Sequence, residues 1–410
     1  MSDSNRSRLI LRDDRRGVTL VLAIFTLVVL GAAVGTSFLV VRAERSSSTQ
    51  STYAGEAQLA AESGLAELQA LWDPAVQNVL PIWTPTAPVE WSSGTRTLQA
   101  NKLFHSATVR RLNPQLFQAI ATGWRAAGTQ RLSQLQLTQF YRIVKPTIGV
   151  NAAMTVSEPV KFNGNAFEVS GINATPPQWG AGECDALDAG NSDDVVGVRS
   201  AAGTGVGSSD LDNVFGFPAK HVANDPSITS ATFNDFLDFT FATLGSQPGV
   251  KLLPNATPYN GVAPVIDIST GGCDKTVLLN FGEPFRNPPT ASTVVPCIGY
   301  FPVVRGTGSV TKFAAGSRGQ GTLLIEGDLE MVGGFEWVGL IIVRNQIKIT
   351  GTGNKIYGAL LAEGADVDTD NGSVGGNVEV HYSACAIQKA VSGASVAQPL
   401  GQRGWAQLYQ

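Results

Sequence analysis

The apolar pattern of the first 72 residues predicts one long helix with two different halves. Residues 17–41 contain no charged residue and no proline, and most of these positions are apolar. As a helix, this run is about 37 Å long, enough to cross a bilayer core of about 30 Å. Residues 42–72 are amphipathic instead: their glutamates lie off a stripe of apolar residues at three- or four-residue steps. The stripe consists of Ala54, Ala57, Ala61, Leu65, Leu68 and Trp72.

The helix is predicted to end at Asp73-Pro74, because proline cannot continue a helix and disfavours helical geometry at the residue before it. We therefore expect a single helix over residues 18–73. Residues 18–41 would be transmembrane, or would lie in a filament core, and the remainder would lie on a globular head.

The rest of the chain is predicted to be mainly β. Residues 74–146 read as a proline-containing linker and a small mixed α/β segment, with strands at 107–112 and 140–144. A helix is expected over residues 114–127, because Leu116, Phe117, Ile120 and Trp124 recur at helical spacing. Residues 147–385 form a β-rich head with an irregular insertion at 176–300, and residues 386–410 form a C-terminal tail.

A repeat near the C-terminus is the second strong pattern. Residues 335–353 and 354–372 are two similar units, and short strands follow four regularly spaced glycines: Gly321, Gly339, Gly358 and Gly376. Such a repeat is typical of a parallel β-solenoid. It predicts that Leu340, Ile341 and Ile342 stack in parallel on Ala359, Leu360 and Leu361. A meander of antiparallel hairpins is the alternative, and the segment around Gly164 would be an earlier rung.

The predicted fold class is therefore α+β. A long N-terminal helix precedes a mainly β head, which is interpreted as a parallel β-solenoid with a large irregular insertion.

A polar leader precedes the apolar run. It contains five arginines (Arg6, Arg8, Arg12, Arg15 and Arg16) and three aspartates. Its positive charge favours a cytoplasmic N-terminus. A secretory signal peptide would have an apolar region of only about 7–15 residues, so this run is long for one. A plain membrane anchor remains an alternative.

The junction of leader and helix resembles the class III signal of type IV pilins. The matching residues are Arg16-Gly17-Val18-Thr19-Leu20-Val21, and 54–65 resembles the next segment of PilX-type minor pilins. The resemblance covers about the first 72 residues and implies that prepilin peptidase cuts between Gly17 and Val18. Most major pilins have Glu as the fifth mature residue, whereas this chain has Leu22, as is typical of PilX-type minor pilins and K-type tip pseudopilins.

The resemblance also implies partners and a location. The partners would be prepilin peptidase and other major and minor pilins. The precursor would lie in the inner membrane, and the mature chain in a filament with its head exposed in the periplasm or outside the cell. The implied function is structural: starting assembly or capping the filament tip. An adhesin head and a membrane-tethered envelope scaffold are the alternatives.

Composition narrows the range of partners and cross-links. The net charge of −4 favours neither nucleic acid nor anionic lipid as a partner. Four cysteines follow the predicted membrane helix: Cys184, Cys273, Cys297 and Cys385. They would lie in the periplasm or outside the cell, where disulfides persist. Free buried thiols are the alternative, and among the possible pairings we favour Cys273–Cys297, which brackets a proline-rich loop.

The chain is not expected to be an enzyme or to need a cofactor. Its three histidines (His105, His221 and His381) are scattered, and none lies in a nucleophile motif. Asp366, Asp368 and Asp370 alternate as in a calcium loop. Asn371 and Asn377 stand where an EF-hand needs Gly and Glu, so a solvated turn is the main interpretation and calcium the minor one.

Overall fold

The computed structural model describes most of the chain beyond the leader. The described residues are 15–100, 102–158, 160–163, 166–177, 179, 183–184, 193–201, 210–254, 258–285, 295–314, 316–368, 378–401 and 405–408. The leader before Arg15, the glycines at 164 and 376, and Asp370 lie outside these residues.

The predicted N-terminal helix is confirmed as α1, Arg15–Ala70. It contains no proline, and it stops close to Asp73, whose carboxylate accepts the backbone N–H of Ala75 at 3.0 Å. That contact forms a turn in place of the next helical turn. The chain is therefore a long N-terminal helix followed by a mainly β head.

The strands nearest the helix form an antiparallel sheet. They are β1 (Trp91–Ser92), β2 (Arg96–Gln99), β3 (Leu103–Arg111), β4 (Leu116–Ala127) and β5 (Gln130–Val144). The central strand β4 pairs with β3 on one side and β5 on the other.

The helix expected over residues 114–127 is wrong, because this segment is β4. Phe117, Ala119 and Ala121 alternate with less buried neighbours and face the core, as in a strand with one buried face. The apolar residues of this segment fit the helical period and the strand period alike. Pairing with two long strands supplies hydrogen-bond partners for the backbone on both edges of β4. The segment described before as mixed α/β is therefore β in its described part.

The remainder of the head is built on a second, larger sheet. Its first strands are β6 (Ala152–Val156), β7 (Val160–Asn163), β8 (Phe167–Ser170), β9 (Val196–Ser200), β10 (Val214–Phe215) and β11 (His221–Val222). Two short helices flank a hairpin: α2 (Ser230–Asn234), β12 (Asp235–Phe236), β13 (Phe239–Thr240) and α3 (Phe241–Leu244).

The later strands complete the larger sheet. They are β14 (Lys251–Leu253), β15 (Tyr259–Asn260), β16 (Val303–Gly306), β17 (Val310–Ala314), β18 (Arg318–Ile325), β19 (Asp328–Val332), β20 (Glu336–Thr350), β21 (Lys355–Asp368) and β22 (Val378–Tyr382). Within the described chain this sheet has 15 strands, and the pairings between them are parallel. The head thus combines an antiparallel sheet with a parallel one.

The predicted stacking of the repeat is confirmed. Gly339 of β20 lies opposite Gly321 of β18 and Gly358 of β21, and Leu340, Ile341 and Ile342 lie opposite Ala359, Leu360 and Leu361. The segment before Gly164 also joins this sheet, because β7 pairs in parallel with β21. This segment lies beside β21, at the end of the repeat, whereas the sequence placed it before the repeat.

The three stacked glycines allow the strands to bend at the same place. Gly339 and Gly358 have φ values of +133° and +142°. A Cβ on Gly358 would lie 1.8 Å from the carbonyl oxygen of Gly339. Only glycine fits at these stacked positions, because any side chain would meet both backbone strain and the backbone of the neighbouring strand.

The interior of the parallel sheet is apolar and rich in aromatic rings. Phe313 lies 5.2 Å from Phe335 between ring centroids, and Phe335 stacks near Trp337 at 6.2 Å. These three residues are buried.

Two segments are more ordered than their predicted descriptions. The insertion at 176–300 contributes β9, β10, β11, β14 and β15 to the parallel sheet, so it is not simply irregular. The segment at 386–410 is not a simple tail. It continues helix α4 (Ala384–Gly393) and then forms β23 (Val396–Pro399) and β24 (Trp405–Leu408), which both pair with β5. Short strands with few apolar residues depend on distant partners, which is why their local sequence looks like a loop.

Candidate functional site: the exposed helix and its attachment to the head

The first half of α1 presents apolar side chains with nothing packed against them. Leu22, Leu27 and Phe38 are 62%, 72% and 71% exposed. Among the described residues, one helix is long and apolar enough to cross a membrane, and it is α1. An exposed apolar surface of this extent is typical of sites that contact a membrane or another protein.

The hydroxyl groups of this half bond within the helix. Thr26 Oγ1 donates to the carbonyl of Leu22 at 2.8 Å, and Ser37 Oγ donates to the carbonyl of Ala33 at 2.8 Å. Polar groups that are satisfied inside the helix can enter an apolar environment at low cost. Leu22 lies on this exposed half. The helix runs through the Gly17–Val18 junction, and the structure does not test cleavage there.

The second half of α1 packs on the antiparallel sheet through small residues. Ala57, Ala61 and Leu68 of the predicted stripe are buried, while Leu65 and Trp72 are half-buried and Ala54 is exposed. Opposite them, a Cβ on Gly123 of β4 would lie only 2.2 Å from the Ala57 carbonyl oxygen. The helix backbone therefore approaches the sheet as closely as glycine permits.

Two glutamates of α1 add polar contacts with this sheet. Glu67 Oε2 lies 3.2 Å from His105 Nε2, and Glu56 Oε2 lies 3.4 Å from Arg125 Nη1. Glu67 also lies 3.8 Å from Arg96 Nε. In the sequence, both glutamates lie off the apolar stripe. Their separation of 11 residues, about three helical turns, is the signal that places them on one face.

His105 is a buried member of this contact. Burial lowers its pKa below the ordinary 6.5, and the nearby Glu67 carboxylate opposes that shift. In the described part of the chain His105 Nδ1 has no hydrogen-bond partner, which also disfavours the protonated ring.

The end of α1 is held by aromatic and polar contacts. Trp72 packs edge-on against Phe117 at 5.4 Å between ring centroids and lies 5.8 Å from Tyr141. Burial raises the pKa of Tyr141 to about 12. Asp73 forms an ion pair with Lys275, which lies in the loop between β15 and β16. The end of the helix is thus joined to the antiparallel sheet and to the loop that contains Lys275.

Both pairs of cysteines are joined. Cys273–Cys297 is the pairing favoured by the sequence and is confirmed, and Cys184 pairs with Cys385. The second disulfide links residues 201 positions apart and attaches the start of α4 to the insertion. Because the partners are so distant in sequence, the spacing carried no signal for this pairing.

The residues considered for chemistry lie on separate elements. His105 is on β3, His221 on β11 and His381 on β22. Asp366 and Asp368 lie at the end of β21, opposite Lys348 and Thr350 of β20. Among the described residues no three His, Cys, Asp or Glu side chains are grouped to hold a metal ion.

Comparisons with known proteins give little further information. No protein-family model and no curated protein sequence matches the chain. Among solved structures, the chain is similar to the crystal structure of the competence-associated pilin ComZ from Thermus thermophilus. The identity is 12%, the match covers 87% of this chain and 98% of that chain, and the TM-score is 0.23. At that TM-score the likeness carries no weight for function.

Proposed function

We propose that this chain is a structural minor pilin or pseudopilin of a type IV filament, which starts assembly or caps the tip. The observation that carries the proposal is the division of α1. Its first half has exposed apolar side chains, and its second half is attached to the head. A helix of this kind can exchange lipid for the helices of neighbouring subunits while the head stays outside the membrane. The Arg16-Gly17-Val18 junction supports the same proposal through its resemblance to pilin signals.

The proposal includes a path through the cell. Prepilin peptidase would cut between Gly17 and Val18 on the cytoplasmic side, and the precursor would wait in the inner membrane. The mature chain would join other major and minor pilins, with its head in the periplasm or outside the cell. N-terminal sequencing of membrane-extracted protein tests the first step. The expected first residue is Val18. An intact leader in a host with active prepilin peptidase would contradict the hypothesis that this chain is a pilin.

Leu22 supports a place at the tip. Burying the charged N-terminal amine of a mature pilin among apolar helices is costly without a carboxylate partner. A subunit with Leu22 in place of Glu is best placed where it need not neutralise the amine of a subunit ahead of it. Immunogold labelling of the head on sheared filaments tests this. Label at filament ends is expected, label along the whole shaft would contradict the tip role, and label confined to membranes would favour the tethered scaffold.

We also propose that the parallel sheet is a β-solenoid. Support comes from the column of Gly321, Gly339 and Gly358 and from the parallel pairing of the strands that follow them. Such a head would be a rigid extension of the filament.

We propose a structural role with no cofactor. The calcium interpretation of Asp366, Asp368 and Asp370 remains the minor proposal. Thermal unfolding with calcium and with a chelator tests it, and a rise of the midpoint in calcium would support a bound ion.

An adhesin head on the same anchor is the second candidate. Ile268 and Phe217 favour it, because these apolar side chains of the head are 99% and 62% exposed. The aromatic rings of the rungs, such as Phe313 and Trp337, are buried and offer no surface ladder for a ligand. Loss of surface attachment in Ile268→Ser, with filament number unchanged, would favour adhesion.

A further inference from the structure

A cavity lies where the end of α1, the parallel sheet and the C-terminal segment meet. Its volume is about 690 Å³, within the range of about 300–1,000 Å³ that small-molecule sites occupy. Its apolar walls include Trp72, Pro248, Val250, Tyr300 and Pro302. The filament role proposed above makes no use of this cavity.

The charged side chains around the cavity are mostly cationic. Lys145, Lys275, Lys389 and Asp73 line it, giving it a net charge of +2, although the whole chain carries −4. Lys275 is already paired with Asp73. Lys145 donates to Ser392 Oγ at 3.4 Å and has no ion-pair partner among the described residues. Lys389 has none in that part of the chain either. Two cations therefore remain for an anionic ligand.

The cavity is held open by contacts between distant segments. Trp72 Nε1 donates to Asn78 Oδ1 at 2.9 Å, and Asn78 Nδ2 donates to Ser395 Oγ at 2.8 Å. The Asp73–Lys275 ion pair joins the same end of the helix to the loop between β15 and β16. Walls fixed before binding lower the ordering cost of taking up a ligand.

We propose that this cavity binds a small amphipathic carboxylate. Its apolar body would lie against the aromatic and proline walls, and its carboxylate would pair with Lys145 and Lys389. Lysines act as flexible point charges, whereas sites built to recognise phosphate commonly add arginine forks or clusters of backbone N–H groups. The charged lining here consists of lysines and one aspartate, which fits a single carboxylate on an apolar body.

The test uses the full chain in lipid nanodiscs and para-fluorophenylbutyrate as the probe, observed by fluorine NMR. Empty nanodiscs provide the baseline for partition into lipid. We expect saturable binding that weakens about tenfold or more in the double variant Lys145→Gln/Lys389→Gln. The uncharged amide of the same probe should weaken similarly. Lys348→Gln is the matched control, because Lys348 is exposed on β20 and does not line the cavity.

A second variant locates the probe. Val79 lines the cavity and is 67% exposed, so Val79→Trp should fill the space without disturbing the core. It should abolish probe binding while the unfolding midpoint stays unchanged. Equal binding of acid and amide, or equal binding to wild type and the double-lysine variant, would overturn the proposal. So would absence of saturable binding to the folded wild type, or binding of an acidic peptide alone, which would assign the cavity to a protein partner. These outcomes are separate from cleavage at Gly17 and from the position of the label on filaments.

Discussion

Lys275 donates to the carboxylate of Asp73, which lies 202 residues earlier in the chain and directly after the long helix. This ion pair joins the end of α1 to the loop that the Cys273–Cys297 disulfide closes. The end of α1 is therefore joined to this loop as well as to the antiparallel sheet, on which Trp72 packs.

We expect this pair to make a modest contribution to stability. The Lys275 and Asp73 side chains are 37% and 26% exposed, and pairs of such exposure typically contribute about 0.2–1 kcal/mol. A double-mutant cycle with Lys275→Met and Asp73→Asn should give a coupling energy in that range from guanidinium unfolding. Asp73→Asn is a suitable partner because Asn keeps an oxygen for the turn at Ala75. A coupling energy near zero would show that the end of α1 is held to the head by the packing of Trp72 instead.

The close approach of α1 to Gly123 predicts a strong response to one methyl group. In Gly123→Ala the new Cβ would meet the backbone of Ala57, so the helix must move away from the sheet. We expect about 1–3 kcal/mol of destabilisation, the usual cost of overpacking, measured by thermal unfolding. Gly149→Ala is the control, because nothing lies within 4 Å of a Cβ there. Equal midpoints for the two variants would mean that the helix is not seated on β4.

The glycine column predicts a larger effect in the parallel sheet. Gly358→Ala would combine a φ of +142° with a contact of 1.8 Å to the Gly339 carbonyl oxygen on the neighbouring strand. We expect at least about 2 kcal/mol of destabilisation, because backbone strain and overpacking act together. The measurement is the unfolding midpoint followed by far-ultraviolet circular dichroism. Gly339→Ala should behave alike, and a tolerated substitution at both positions would contradict the stacked register.

His105 predicts a loss of stability in acid. Burial lowers its pKa below 6.5, so the folded state favours the neutral ring and the unfolded state binds the proton more readily. The stabilising contribution is present above pH 6.5 and is lost as the pH falls through the lowered folded pKa. The unfolding midpoint of His105→Gln should therefore vary less than that of wild type between about pH 7.5 and pH 5.5.

Glu67 and His221 provide the matched comparisons. Glu67 opposes the shift, so Glu67→Gln should lower the folded pKa of His105 further and increase the sensitivity to acid. His221→Gln measures separately how much His221 contributes to the pH dependence, because burial lowers the pKa of His221 as well. If the unfolding midpoint of His105→Gln varies with pH as much as that of wild type, the contact of His105 between helix and sheet does not cause the loss of stability in acid.

The exposed half of α1 predicts that a charge there blocks assembly without unfolding the head. Leu27→Asp should disfavour both membrane insertion and filament packing, with an insertion cost of about 2.5–3.5 kcal/mol. Leu22→Glu is the contrast, because Leu22 lies near the N-terminal end of the apolar run and Glu is the residue that most major pilins would have there. We expect few labelled filaments for Leu27→Asp and label spread along the shaft for Leu22→Glu. Normal end-labelled filaments from Leu27→Asp would contradict the filament role of this half.

The local sequence was sufficient for features that depend on near neighbours. The uninterrupted apolar run and the prolines after it define α1, because helix formation depends on residues within a few turns. The repeat defined the register of Gly339 on Gly358, because similar repeat units bury the same positions in the same way. The proline-rich loop between Cys273 and Cys297 likewise pointed to a short-range disulfide.

Long-range pairing was decided only by the tertiary structure. Leu116–Ala127 has apolar spacing that fits helix and strand alike, and two long neighbouring strands make it β4. The last segment returns to β5, and Cys385 joins Cys184 from 201 residues away, by contacts that leave no local signal. The close packing of α1 on Gly123 is likewise a long-range contact with no local signal. A sequence determines what a segment can do by itself, but the choice between such states is made by the partners that the fold brings to it.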